Sequence, residues 1–154
     1  MRTESGRSLI EIIGVLAVAA IMTAGAIGMY KTMRDRSMRT IATAELDQVA
    51  KNVRLMMAPR GDYSGVSVDY LVKAGALRND RAPIGGDDWS ITASDDGTMF
   101  SINLTGLSYG DCAYFTTAIP TWASGLRVNG YSNADGMPDF CMSSGDNMIS
   151  FMVE

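Results

Sequence analysis

The sequence predicts an α+β fold: a long N-terminal α-helix spine, transmembrane in its first half, with a small C-terminal globular head built on an antiparallel β-sheet. Three observations support this prediction. An almost unbroken apolar run extends from Ile12 to Tyr30. Apolar residues then recur at intervals of three or four as far as Met56, which is typical of an amphipathic helix. Closer to the C-terminus apolar and polar residues alternate, as they do in half-buried strands.

The apolar run is long enough to cross a membrane. About 20 residues at roughly 1.5 Å per residue span a hydrocarbon core of ~30 Å. The run exceeds the roughly 7–15 residues of a signal-peptide core, and no small-x-small cleavage site follows it. We therefore expect residues 7–30 to form the transmembrane and assembly half of the helix.

The helix is expected to continue as an amphipathic half over residues 31–57, because no helix breaker interrupts it. Pro59 and Gly61 are stop signals. The helix should therefore extend from Leu9 to Met57, about 70 Å at the standard rise. The apolar positions expected on its buried face are Met38, Ala42, Leu46, Val49, Val53 and Met56.

The head is expected to span residues 58–154 in the order short helix, strands, helix, strands. Ser67 is the predicted N-cap of the short helix, which ends at Gly75. Asp111 is the predicted N-cap of the second helix, which ends before Pro120. Alternating apolar residues predict strands over residues 89–93, 100–104, 126–128 and 149–153.

A single carboxylate, Glu11, stands at the start of the apolar run. An ionised side chain in hydrocarbon costs several kcal/mol or more and is a functional-site hypothesis by default. We expect Glu11 to pair with an amine on a neighbouring subunit. The alternative is an ordinary membrane anchor that carries an isolated charge.

Small residues form a stripe on the predicted membrane helix. Ala20, Ala24 and Gly28 are four positions apart, with Gly14 and Ala17 nearby. Small residues let helix backbones approach closely in lipid, so the stripe predicts a helix-packing face. A generic membrane helix rich in Ala and Gly explains the same residues equally well.

Gly6, Glu11 five residues later and the apolar run together resemble the N-terminus of type IV prepilins and the related pseudopilins. The resemblance implies a prepilin leader peptide over residues 1–6. It also implies that a prepilin peptidase cuts between Gly6 and Arg7, and that Glu11 pairs with the freed α-amino group of an adjacent subunit.

The run over residues 70–77, the later Pro83 and Trp89, and the pair Asp111-Cys112 are similar to type IVb pilins. The resemblance implies a structural subunit that polymerises into a type IV pilus for surface adherence, aggregation or mating contact. Its precursor would lie in the inner membrane with the head in the periplasm, and the assembly machinery there would build an extracellular homo-oligomeric filament. The alternatives are a pseudopilin of a type II-like secretion system and a non-polymerising, membrane-anchored periplasmic binding domain.

The chain has two cysteines, Cys112 and Cys141. In a small exported domain such a pair is expected to form a disulfide, which stabilises by roughly 3–4 kcal/mol for a loop of this size. The alternative is two free buried thiols. Type IV pilins carry a bridge near the C-terminus that bounds a variable surface region, so the resemblance implies that residues 113–140 face outward.

Charge is distributed unevenly. Nine of the 13 basic residues precede Gly61, whereas only five of the 17 acidic residues do. The split can support attraction between stacked subunits, or it can reflect a solvated helix beside an acidic domain. Lys31, Arg34, Arg36 and Arg39 follow the apolar run directly, and the positive-inside rule would place them in the cytoplasm, opposite to the orientation that the pilin resemblance implies.

Several functions find no support. The chain has no His, which excludes Ser-His and Cys-His nucleophiles, and it lacks a Gly-rich phosphate loop. The pairs Asp87-Asp88 and Asp95-Asp96 are interpreted as loop residues. No enzyme activity, cofactor or metal is therefore expected; residues 133–139 offer three oxygen-bearing side chains, fewer than calcium needs. The acidic head argues against nucleic-acid binding.

Overall fold

The computed structural model describes residues 9–132 and 140–154. The helices are α1 (Leu9–Met57), which a 3₁₀ turn (Ala58–Arg60) follows, α2 (Val68–Lys73) and α3 (Tyr109–Thr117). The strands are β1 (Ser90–Ala93), β2 (Phe100–Leu107), β3 (Gly125–Val128), β4 (Tyr131–Ser132) and β5 (Asn147–Val153). The predicted α+β class, with its long N-terminal helix, is confirmed.

The five strands form one antiparallel sheet in the order β1-β2-β5-β3-β4. The central strand is β5, which pairs with β2 on one side and β3 on the other. Strand β4 was not predicted. It follows a two-residue Asn129-Gly130 turn in which both residues have positive φ, and an Asn-Gly pair is a strong hairpin signal in sequence.

The chain divides into two compact units, residues 1–38 and residues 39–154. Every described residue of the first unit belongs to α1, and all of them are exposed. The second unit contains the rest of α1 and every other element.

Helix α1 begins and ends where the sequence predicts, but its buried face differs at both ends. Met38 is 46% exposed because burial begins one turn later, at Ala42. At the C-terminal end the buried face continues from Val53 to Met57 and not to Met56. A full turn takes about 3.6 residues, so a residue four positions on lies closer to the same face than a residue three positions on. The buried residues are Ala42, Leu46, Val49, Ala50, Val53 and Met57.

One helix cap agrees with its prediction and the other does not. Ser67 caps α2, since its hydroxyl accepts a hydrogen bond from the Tyr70 N–H at 3.2 Å. The predicted Asp111 cap is wrong: α3 begins at Tyr109, and the Ser108 hydroxyl accepts from the Asp111 N–H at 3.1 Å. Asp111 instead lies in the first turn, where a carboxylate is favourable near the positive end of the helix dipole.

The core lies on the inward face of the sheet, where alternate residues of β2, β3 and β5 are buried. Phe151, on the central strand, is fully buried. Its ring centroid lies 5.6 Å from that of Phe115 on α3 and 5.4 Å from that of Trp122. These aromatic contacts add to the burial of apolar area and hold α3 against the sheet.

We expect Phe151→Ala to lower the free energy of unfolding by about 3–5 kcal/mol, because it leaves a cavity at the centre of the core. Guanidinium denaturation of the full chain in detergent micelles measures the change. Met148→Ala, on the same strand but 39% exposed, is the control and should cost about 1 kcal/mol or less. Equal losses in the two variants would contradict this account of the core.

Candidate functional site

The N-terminal unit presents an apolar helical surface. From Leu9 to Met38 every residue is exposed, and it includes large aliphatic side chains along its length. Among the described residues, α1 is the one helix long and apolar enough, by length and composition, to cross a membrane. An apolar surface of this extent requires lipid or protein around it.

Glu11 lies in the first turn of α1 and is exposed. It is the only charged side chain from Leu9 to Tyr30. Glu11 forms no ion pair with any residue in 9–132 or 140–154. The predicted cleavage residues, Gly6 and Arg7, lie outside the described residues, as does the Asx-rich segment 133–139.

The predicted packing stripe lies on the exposed part of α1. A Cβ atom added at Gly14 or Gly28 would meet nothing within 4 Å. The helix is continuous through both glycines. The stripe residues are Gly14, Ala17, Ala20, Ala24 and Gly28, all exposed.

The predicted disulfide is confirmed. Cys112 on α3 is bonded to Cys141, with 5.8 Å between their Cα atoms and a sequence separation of 29. The enclosed stretch does not face outward as a whole, however. Phe115, Leu126 and Val128 are buried in the core because α3 and β3 pack on or within the sheet.

Arg39 ties α1 to α3 within the globular unit. Its Nε donates to Asp111 Oδ1 at 2.7 Å, and its guanidinium carbon lies 5.8 Å from the centroid of the Tyr114 ring. The two charged side chains are 22% and 21% exposed. A Cβ at Gly110 would come within 2.7 Å of an Arg39 guanidinium nitrogen, so this approach requires glycine or a rearrangement.

This contact was not predicted. In the sequence Arg39 appears as the last of four basic residues after the apolar run, 72 positions from its partner. The structure assigns it to the head instead, so at least one charge of that cluster has a role unrelated to membrane orientation.

The neighbouring carboxylates Asp95 and Asp96 lie between β1 and β2. Asp96 Oδ1 accepts hydrogen bonds from the Ser94 hydroxyl at 2.6 Å and from the Thr98 hydroxyl and N–H at 2.9 and 3.1 Å. These bonds, that from Ser94 above all, lower the pKa of Asp96 below its usual value. Asp96 is the acceptor that closes this turn.

Comparison with known proteins gives two relatives of the same kind. The chain is 27% identical over 160 residues to the major structural subunit of the bundle-forming pilus of Escherichia coli O111:H-, across 96% of this chain and 76% of the relative. It is 28% identical over 138 residues to the subunit of the same name from Escherichia coli O127:H6, across 82% and 71%. No family model matches the chain.

The fold is also similar to a solved structure. The crystal structure of TcpA, a type IV pilin from Vibrio cholerae El Tor biotype, matches 77% of this chain and 99% of its own, with a TM-score of 0.58 and 14% identity. A long N-terminal helix followed by a head on an antiparallel sheet is therefore a pilin-type fold. In sequence the chain is similar to two pilus subunits, and in fold it is similar to a type IV pilin.

We expect Arg39→Met, which keeps an apolar stem, to lower the free energy of unfolding by about 1–3 kcal/mol, because it leaves Asp111 partly buried without its cation. Lys51→Met is the matched control. Its ion pair with Asp47 is 65% and 37% exposed and should be worth under about 0.5 kcal/mol. Chemical denaturation measures both, and similar values for the two variants would show that the Arg39 contact has no special weight.

Proposed function

We propose that this chain is a structural subunit that polymerises into a type IV pilus filament. The observation that carries the proposal is the exposed apolar surface of α1 from Leu9 to Met38, attached to a head with its own core. A soluble monomer would leave this surface in water, at a cost of roughly 25 cal/mol for each Å² of apolar area. Lipid before assembly and other subunits after it would remove that cost.

The sequence relatives support a pilus rather than a short secretion filament. Both are described as major structural subunits of a pilus. By analogy, the precursor lies in the inner membrane with its head in the periplasm, and the finished filament is extracellular. The Cys112–Cys141 bridge fits this location, since structural disulfides persist in oxidising compartments. The role is structural rather than catalytic.

In this proposal Glu11 determines how subunits join. A prepilin peptidase removes residues 1–6 by cutting between Gly6 and Arg7, which creates a new α-amino group. As a subunit leaves the membrane through the assembly machinery, that amine pairs with Glu11 of a neighbour. A lone carboxylate surrounded by apolar helices is far more costly than a paired one, so Glu11 favours the one axial position at which the amine meets it.

The stripe of small residues supports the same arrangement, because it lets the α1 helices of adjacent subunits approach closely. Among the described residues, nothing lies within 4 Å of a Cβ atom added at Gly14 or Gly28. The helix itself would be more stable with Ala at these positions, by about 1 kcal/mol each. Close packing between subunits would explain why these positions are glycine, whereas contacts within the described part of the chain do not.

We expect Glu11→Gln to lower filament yield at least tenfold without lowering the amount of subunit in the membrane, because the substitution removes the charge and keeps the shape. Sheared filaments and membrane fractions, quantified by immunoblot, give the two measurements. Intact mass should show that the variant still loses residues 1–6.

Glu45→Gln is the matched control, since Glu45 is an exposed glutamate on the same helix. It should leave filament yield unchanged. Normal filaments from the Glu11 variant would overturn the role of Glu11, and the absence of filaments from the natural chain would overturn the proposed function itself.

The packing stripe predicts a difference between two substitutions of one kind. Ala24→Leu adds bulk on the stripe, whereas Ala26→Leu adds it about 200° away around the helix. Both residues are exposed on the helix. Leu is a good helix former, so neither substitution should disrupt the helix itself. We expect Ala24→Leu to lower filament yield several-fold more than Ala26→Leu by the same shearing assay. Equal effects would mean that the stripe is a generic feature of a membrane helix.

A further inference from the structure

Asn147 is the buried polar side chain of the described core, with 0% exposure. It occupies the first inward-facing position of β5, where the following inward residues are apolar. A buried amide is costly unless its hydrogen bonds are made, and here they are. Its Nδ2 donates to the carbonyls of Leu107 at 3.1 Å and Met142 at 2.9 Å, and its Oδ1 accepts from the Met142 N–H at 2.6 Å.

A second asparagine completes the network. Asn129 Nδ2 donates to Asn147 Oδ1 at 3.0 Å and to the Phe140 carbonyl at 2.8 Å. Its Oδ1 accepts from the Met148 N–H at 2.8 Å. Asn129 has φ of 50°, a left-handed conformation that asparagine tolerates better than most residues.

The two asparagines therefore hold the residues on both sides of Cys141. Asn129 bonds to Phe140, and Asn147 bonds to both backbone polar groups of Met142. None of these contacts is made through a cysteine sulfur atom. A local irregularity also contributes: the β2–β5 register shifts between Leu104 and Leu107, so that Leu107 lies opposite Asn147.

Cys112 is held from the other side by contacts that are equally independent of the bridge. Its N–H donates to the Ser108 carbonyl at 2.9 Å, and its neighbour Asp111 is paired with Arg39. Both half-cystines are thus fixed through the residues adjacent to them, with 5.8 Å between their Cα atoms, a separation that a disulfide spans.

We propose that Asn147 and Asn129 are positioning residues that dock the segment around Cys141 against the sheet before the disulfide exists, so that oxidation joins two thiols already held opposite each other. Effective concentration is the physical basis. A docked segment keeps the second thiol beside the first, whereas an undocked loop must lose its freedom when the bridge closes.

The oxidation step balances as a thiol–disulfide exchange. With glutathione disulfide as oxidant, the thiolate of one cysteine displaces a glutathione thiolate and forms a mixed disulfide. The thiolate of the other cysteine then attacks the protein sulfur of that mixed disulfide and expels the second glutathione. Two protein thiols lose two protons and two electrons, and one glutathione disulfide becomes two glutathione thiols. The asparagines act on the second attack, which depends on how often Cys141 lies beside Cys112.

The first experiment tests docking without the bridge. The full chain carrying Cys112→Ser and Cys141→Ser is placed in detergent micelles, and hydrogen exchange of the Met142 and Met148 amides is followed by NMR. We expect both amides to exchange at least tenfold more slowly than when Asn147→Ala is added to the same background. Exchange at the unprotected rate in the chain with both serines, whether from local opening or from failure to fold, would overturn the proposal.

The second experiment measures the equilibrium constant for bridge formation in glutathione buffers. A substitution that weakens oxidised and reduced chains equally leaves this constant unchanged, so a purely structural role would not move it. We expect Asn147→Ala to lower the constant at least fivefold. Asn103→Ala is the matched control, because that amide bonds only to Ser90 and Thr92 among the contacts the structure gives it. It should change the constant less than twofold.

A fall of less than fivefold for Asn147→Ala, with the reduced variant folded by circular dichroism, would overturn the proposal. If that variant does not fold, Asn129→Gly decides the matter. It keeps the left-handed turn that glycine adopts readily and removes the bonds to Phe140 and Met148. A constant for Asn129→Gly within twofold of the natural chain would then be the contradicting result, and a larger fall would support docking.

Discussion

The rest of the structure depends on one constraint: a single helix must satisfy two different environments along its length. From Ala42 to Met57 one face of α1 is buried against the head. The buried residues of this face are part of the only core cluster that the described residues form. From Leu9 to Met38 every residue of the same helix is exposed. The change occurs within one turn, next to the Arg39–Asp111 ion pair. The apolar half can therefore be specialised for lipid and for other subunits without any cost to the core of the head.

The head is small, and its stability is distributed over several kinds of contact. Aromatic packing around Phe151 supplies the centre, the Arg39 ion pair fixes the start of α3, and the disulfide joins α3 to the segment before β5. A domain of about 100 residues buries a modest fraction of its surface, so such additional links matter more than they would in a larger protein. The asparagine network belongs to this group, because it fixes backbone that no strand pairing covers.

Much of the fold could be predicted from sequence because its signals are local. The bounds of α1 follow from periodicity and from Pro59, and the Ser67 cap follows from a single hydroxyl at a helix start. The Ser108 cap was also accessible, since Ser108 and Asp111 have the spacing of a capping box. The burial of Met57 rather than Met56 could not be predicted, because a difference of one residue depends on how the helix is rotated against the sheet.

In the candidate site too, some residues could be predicted from local sequence signals and others could not. Glu11 and the small residues are evident in sequence because they are exceptions within a uniform apolar run. Arg39, Asn129 and Asn147 could not be found, because several of their partners are distant in sequence and the chain contains other arginines and asparagines. Only the fold distinguishes an asparagine that holds backbone from one that faces water.

The position of β5 has a consequence for biogenesis. The strand that joins the two halves of the sheet is the last of the five along the chain, so β1–β2 and β3–β4 remain separate hairpins until residues 147–153 have been translated. Isolated two-stranded hairpins are marginal in water. The complete five-stranded sheet can therefore form only after the last strand has been made. A chain truncated before β5 would lack the strand that joins the two hairpins, and its unpaired segments would be open to proteolysis.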